Sequence, residues 1–207
     1  GNDADPVLQI IGVSEVPAQG ISKGIVNSIE DAVSSVSAAL EQAERMTGQQ
    51  VESVWVGISG THIISQESKG VIAVSRPNGE INEEDIERAI DAARTVATPL
   101  NYEILHVIPK SFIVDGQVGI KDPSGMTGIR LEVDTQIIQG LTSHIKNLTK
   151  SVYRTGLDIE DMVLSSLAAS EAALSKRQKE LGTVLVNIGA ATTSIIIFRK
   201  GHTNGRD

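Results

Sequence analysis

Leu181-Gly-Thr-Val-Leu-Val-Asn-Ile-Gly-Ala-Ala-Thr-Thr-Ser-Ile-Ile-Ile-Phe198 joins two β-rich apolar runs through a tight turn of small residues. The runs at 184–186 and 195–198 are short and nearly continuous, the pattern of strands buried on both faces. Gly, Ala and Thr between them let backbone N–H groups and hydroxyls come close to a ligand, and a hairpin of that kind can hold a phosphate. Such a hairpin is one part of a nucleotide site. The sequence contains neither Gly-x-x-x-x-Gly-Lys-Ser/Thr nor a Gly-x-Gly-x-x-Gly opening a helix, so P-loop and dinucleotide readings have no support.

Outward from the hairpin, strand and helix alternate. Residues 7–13 are expected to form a strand, followed by a helix with Ile29, Val33, Val36, Leu40 and Ala43 on one face and Gly48 at its end, then a strand at 51–58. Beyond 140 the same grammar returns: a helix carrying Leu141, Ile145, Leu148 and Val152 and ended by Gly156, a short strand near 162–164, an Ala/Ser-rich helix, and the hairpin.

The intervening stretch has a different texture. After short β-rich runs at 63–64 and 71–74, Asn82 is placed to cap a helix, and Glu83, Glu84 and Asp85 fill its first turn. Ile81 can staple on Ile86, and Ala89, Ile90, Ala93 and Val96 form the apolar stripe. Residues 102–114 make a long β-rich run interrupted by Pro109. Ile129, Leu131, Val133, Thr135 and Ile137 alternate with Arg130, Glu132, Asp134 and Gln136, predicting a strand with one wet face. The segment 118–128 between them is turn-rich and expected to be exposed. The predicted organisation is thus an α/β unit in two pieces, 1–60 and 141–207, with a small α+β module of strand, helix, strand, strand inserted at 61–140.

Composition narrows the function. In 207 residues, 40% are hydrophobic and 2% aromatic, and the net charge is −8. An aliphatic, acidic chain lacks the stacking platforms and the basic face that nucleic acid requires. The absence of cysteine fits a reducing, cytoplasmic setting, and no apolar run reaches the length of a membrane helix or signal sequence. His62, His106, His144 and His202 have no metal-ligand spacing, so no metal site is expected. Ser143 and Lys146 fit Ser-x-x-Lys without its partner motifs, and Glu83–85 are explained by the helix dipole, leaving no candidate catalytic residue. Lys146, Lys150 and Arg154 form a basic stripe of the kind a solvated helix face carries.

Several pieces in order carry a family resemblance: Ile10-Ile-Gly-Val13, Gly20-Ile-Ser-Lys-Gly24, Ala43-Glu-Arg-Met46, Leu105-His-Val-Ile-Pro109, Gly119-Ile-Lys-Asp-Pro123 with Gly125 and Gly128, and Val186-Asn-Ile-Gly189. Over nearly the whole chain the sequence closely resembles the FtsA family of actin-like bacterial cell-division proteins. The resemblance implies an actin-type ATPase α/β fold with a strand-helix-strand-strand subdomain inserted in its first lobe. It also implies a phosphate contact at the hairpin through Asn187, Gly189, Ala190, Ala191, Thr192 and Thr193.

Family members bind ATP with magnesium between two lobes, bind FtsZ on the second lobe and reach the membrane by a C-terminal amphipathic helix, at the inner face of the cell membrane at the division site. The first phosphate loop, second lobe and C-terminal helix have no counterpart in this sequence. By itself, therefore, the chain is expected to be neither an enzyme nor cofactor-bound. Its implied role is self-association and contact with later-arriving division proteins through the insert, with Glu84, Glu87, Arg88 and Asp91 on the outer face of its helix as the partner surface. Asn187 stands where relatives have Asp, and a neutral amide holds Mg²⁺ less well, so weak hydrolysis is implied for the whole protein. At Ala191, where relatives often have Gly, a turn needing positive φ would be strained by about 1 kcal/mol. The alternative reading is a degenerate nucleotide-binding ATPase of the pilus-assembly or kinase type.

Overall fold

Ser28 opens the first long helix by accepting the Asp31 N–H, and Gly48 closes it at φ 69°, with its own N–H on the Glu44 carbonyl. Between these caps, α1 (Ile29–Thr47) runs as its spacing predicts, half-burying Val33, Val36 and Leu40. These details come from a computed structural model that describes residues 9–95 and 98–199. Ahead of α1 lies a small hairpin of β1 (Ile21–Ser22) and β2 (Ile25–Val26).

The strand expected at 7–13 is not formed: 7 and 8 fall outside the described residues, and 9–13 have no regular structure. A strand exists only where a neighbour takes its backbone groups. Here the segment instead follows α1, with Ser14 Oγ donating to the Ala39 carbonyl and the Gln19 N–H to Ser35 Oγ. Ile10, Ile11 and Val13 stay exposed.

β3 (Ser53–Ile58) pairs in parallel with β8 (Asp158–Leu164), so the two flanks close on each other across the whole insert. Sequence pattern left the pairing direction open, and it placed the later strand at 162–164, shorter than it is. α3 (Thr142–Tyr153) leads from the insert back to β8 and packs on α1. At the end of the basic stripe, Arg154 donates to Glu30 at 3.0 Å and holds that carboxyl below its ordinary pKa. One of the three cations thus ties two helices together while remaining on the solvated face.

The insert is an antiparallel sheet ordered β4-β7-β5-β6, from β4 (Ile63–Ala73), β5 (Tyr102–Val114), β6 (Gln117–Ile120) and β7 (Arg130–Leu141). α2 (Glu83–Arg94) covers one face. Asn82 and Asp85 form a reciprocal capping box, and Ile81 beneath it is 1% exposed. Val96 of the expected stripe lies outside the described residues. The alternation resolves as predicted at Leu131, Val133, Thr135 and Ile137, which are buried, but not at Ile129, which precedes β7 and is 77% exposed. Leu131 and Val133 join Val74, Ile81, Ala89, Ala93, Phe112 and Val114 in one hydrophobic cluster. Past Ile137, however, Ile138, Gln139 and Gly140 are buried in succession, because at the root of the insert Gln139 meets Thr98 of the insert while Gly140 faces Ile145 of the flank.

Two further differences appear. The short strand β6 forms within the segment expected to be turn-rich, and Ile120, Met126 and the buried Pro123 plug the open end of the core. Pro109 sits on β5 where the register with β7 shifts, which relieves the ladder of its absent N–H.

Candidate functional site

Two helices lead from β8 to the hairpin, α4 (Ser165–Ala173) and α5 (Lys176–Leu181), the second capped by Ser175 and Gln178. β9 (Thr183–Ile188) and β10 (Thr193–Phe198) then pair in antiparallel register, Ile188 opposite Thr193 and Asn187 opposite Ser194. The loop 189–192 is closed by the Gly189 N–H on the Thr192 carbonyl at 2.9 Å.

All six residues expected at the phosphate turn thus lie together at one end of the hairpin, all exposed except the half-exposed Thr192. Ala191 is not among the residues with positive φ, so the strain foreseen there does not arise. The turn offers backbone N–H groups and the Thr192 and Thr193 hydroxyls to an anion, with Asn187 one residue pair inside it. Among the described residues no group of three His, Asp or Glu side chains is arranged to hold a metal.

Burial of the hairpin strands departs from expectation. Only one face is covered, where Leu185, Ile196 and Phe198 meet α4 and α5 and Lys179 stands 5.7 Å above the Phe198 ring, also bridging Glu171 at 2.7 Å. The opposite face is open, with Val184, Val186, Ile188, Ile195 and Ile197 exposed and Ile195 at 60%. A two-stranded ribbon has two faces and only one pair of helices to cover it, so an unbroken apolar run reports two hydrophobic faces without reporting what covers the second.

The four residues expected as a partner surface are all exposed on α2, and three are engaged locally. Glu84 reaches Arg76 at 3.9 Å, Arg88 reaches Asp85 at 3.0 Å, and Asp91 reaches Arg94 at 3.4 Å. The exposed pairs of Glu84 and Asp91 contribute little stability, on the order of 0 to 1 kcal/mol, and leave those charges open to another molecule, whereas Arg88 is held on the buried Asp85 carboxylate. On the uncovered face of the sheet a shallow depression of about 480 Å³ is lined by Glu67, Lys69, Lys110 and Asp134. It is remote in sequence from the hairpin, and its charges neutralise one another through Lys110–Glu67 and Lys69–Asp134.

Sequence spacing gave no role to three histidines that the fold gathers at the root of the insert. His62, 6% exposed, stacks at a tilt against His144 with ring centroids 5.0 Å apart. His106 accepts the Leu164 N–H on Nε2 at 3.0 Å. Burial pushes His62 and His106 below the ordinary histidine value, His144 adding to the shift at His62 and Asp161 opposing it at His106. His202 lies outside the described residues.

A family model described as the SHS2 domain inserted in FTSA matches residues 60–139. The chain is 45% identical to the cell division protein FtsA of Bacillus subtilis, over 98% of this chain and 46% of that protein. With FtsA of Borreliella burgdorferi the identity is 43%, over 94% of this chain and 47% of the relative. With that of Escherichia coli K12 it is 36%, over 95% and 46%. The chain therefore spans about half the length of the curated relatives it matches. Among solved structures it is similar to a chain of a PilM-PilN type IV pilus biogenesis complex, with TM-score 0.57 and 15% identity over 88% of this chain and 48% of that one. That likeness is one of fold, and agrees with an actin-like α/β arrangement carrying a small α+β insert. The FtsA match thus runs through the inserted domain and continues into both flanks, so the chain is similar throughout its length to about half of an FtsA protein.

Proposed function

We propose that this chain serves bacterial cell division as the interaction-bearing part of an FtsA-type protein. The observation that carries the reading is the unbroken similarity to FtsA across insert and flanks, at identities of 36 to 45%. The insert supports it physically. Its core is closed by its own residues, and its helix α2 turns a charged face outward, open to a partner of complementary charge. Through this face it contacts later-arriving division proteins, and through the chain as a whole it associates with further copies of itself.

In the complete protein the hairpin turn contributes to an ATP site. Its amides and threonine hydroxyls meet a phosphate, while Asn187, lacking a carboxylate, leaves magnesium-assisted hydrolysis slow. FtsZ and membrane attachment belong to other parts of such a protein, which then works at the inner face of the cell membrane at the division site. The reading of a pilus-assembly ATPase gains only a likeness of fold.

The test is depletion of the parent protein in its own bacterium, with a fluorescent fusion to report position. Filamentous cells lacking septa and a midcell band are expected. Normal septation with diffuse fluorescence would overturn the assignment.

A further inference from the structure

Both connections that root the insert are bordered by imidazoles, His62 buried and His144 half-buried. His62 stands at the head of the entry strand, directly after the Gly60-Thr61 turn, and its carbonyl accepts the Leu141 N–H at 3.3 Å. His144 lies in the first turn of α3, just beyond the exit strand. Neither ring nitrogen of His62, nor Nδ1 of His144, has a hydrogen-bond partner, although all three are buried.

The third imidazole crosses between units. α4 begins at Leu164 without a side-chain cap of its own, and His106 of β5 supplies the acceptor for the Leu164 N–H. An imidazole that accepts on Nε2 must be unprotonated there.

We propose that His62, His144 and His106 form a proton-sensitive joint between the insert and its flanks. With His62 and His106 neutral, the insert is held in one pose against β8 and α4, and proton uptake by them releases it. A proton on His62 would be a buried charge with no counter-charge, and one on His106 would delete the acceptor at the start of α4. The charged groups around the joint are few. α3 brings His144 itself to His62, and the β1–β2 turn brings only the backbone carbonyl of Lys23, near Gly60. The end of β7 presents only Gly140 and Leu141 there, and β8 brings Asp161 to His106.

The sign follows from burial. His62 and His106 titrate below the ordinary value of 6.5 in the closed pose and near it once released. Closure is therefore complete above that value and is lost as pH falls through the lowered ones, the closed-to-open ratio dropping about tenfold per pH unit for each imidazole. The cell-division assignment is not needed for this behaviour.

The experiment is amide hydrogen exchange on the whole chain at about pH 7.5 and about pH 5.5, corrected for the intrinsic rate. Protection at 60–64, 139–145 and 164–168 is expected to fall at least about tenfold on acidification, while that of α2 and central β7 holds. The triple variant His62→Gln, His106→Gln, His144→Gln does not titrate, and its residue 106 amide oxygen can still accept from Leu164, so its protection should not change with pH. Unchanged protection in the wild type, or an equal loss in the variant, would overturn the proposal. Should the variant fail to fold, imidazole titration by NMR in the wild type decides. Depressed midpoints that move the Leu164 amide with His106 support the joint, and an ordinary midpoint with a static Leu164 amide refutes it.

Discussion

Replacing Gly70 by alanine measures how tightly α2 lies on its sheet. Gly70 sits in β4 opposite Val133. A Cβ built there would overlap the Ala89 carbonyl oxygen and stand 2.8 Å from the Ala93 nitrogen. Both obstacles are helix backbone, so no rotamer change relieves them, and restoring ordinary contact lifts α2 by more than about one ångström. Overpacking of this kind costs about 1–3 kcal/mol, and a clash with backbone belongs at the upper end. Alanine also gains on glycine by about 0.5–1 kcal/mol in a strand interior, which works the other way and is smaller. A net loss of about 2 kcal/mol is expected.

The assay must report the insert. Trp55, the single tryptophan, lies on β3 in the flank, so its fluorescence follows the wrong unit. Amide exchange in α2 and β4 under increasing urea gives the local free energy instead. Gly48→Ala is the comparison. It places a Cβ at φ 69° with nothing within 4 Å, and costs about 1 kcal/mol through backbone strain alone, sensed at α1. A Gly70→Ala loss below about 0.5 kcal/mol at α2 would show that the helix rides free of the sheet and that the close approach is not a constraint.

Reversing Glu87 and Asp91 to lysine should weaken recruitment of a later division protein bearing a basic cytoplasmic tail by about tenfold at low salt, and less as salt rises, with the fold intact by circular dichroism. Equal pull-down at low salt would move the docking surface off α2. In the full-length parent, Asn187→Asp should raise ATP hydrolysis by about tenfold or more with little change in ATP affinity, since the added carboxylate acts through the metal; unchanged turnover would remove Asn187 from the mechanism. The open hairpin face should drive the chain to self-associate at high micromolar concentration, and Ile195→Lys with Ile197→Lys should return it to monomer in sedimentation. A wild-type chain that sediments as a monomer would show that this face is tolerated in water.

Most helices were legible because their signals are local. Ser28 and Gly48 bracket α1, Asn82 and Asp85 open α2, and the alternation through Leu131, Val133, Thr135 and Ile137 sets the inward face of β7. What escaped depends on partners distant in sequence. Apolar spacing at Ile10, Ile11 and Val13 marks a segment able to join a sheet, but only a neighbouring strand makes it one. The run 195–198 advertises two hydrophobic faces, while the packing of α4 and α5 decides that Ile196 is covered and Ile195 is not. The small-residue turn was legible as composition; its closure at Gly189 and the relaxed Ala191 were not. Histidines 62, 106 and 144 were tested only for metal spacing, and nothing in that spacing announces a contact created by two strand ends returning to one place.

That return has a kinetic consequence. Pairing β3 with β8 as an unfolded chain means closing a loop of roughly a hundred residues, from Ile58 to Asp158. Once the insert has folded, the bond between His62 and Leu141 fixes its two ends side by side, and the chain still to be closed shrinks to about twenty residues. Closure entropy growing as (3/2)RT ln n makes the difference about 1.4 kcal/mol, roughly tenfold in the rate of bringing the flanks together. The insert, whose contacts are local to itself, folds first and serves as the clasp that makes its own host sheet quick to form.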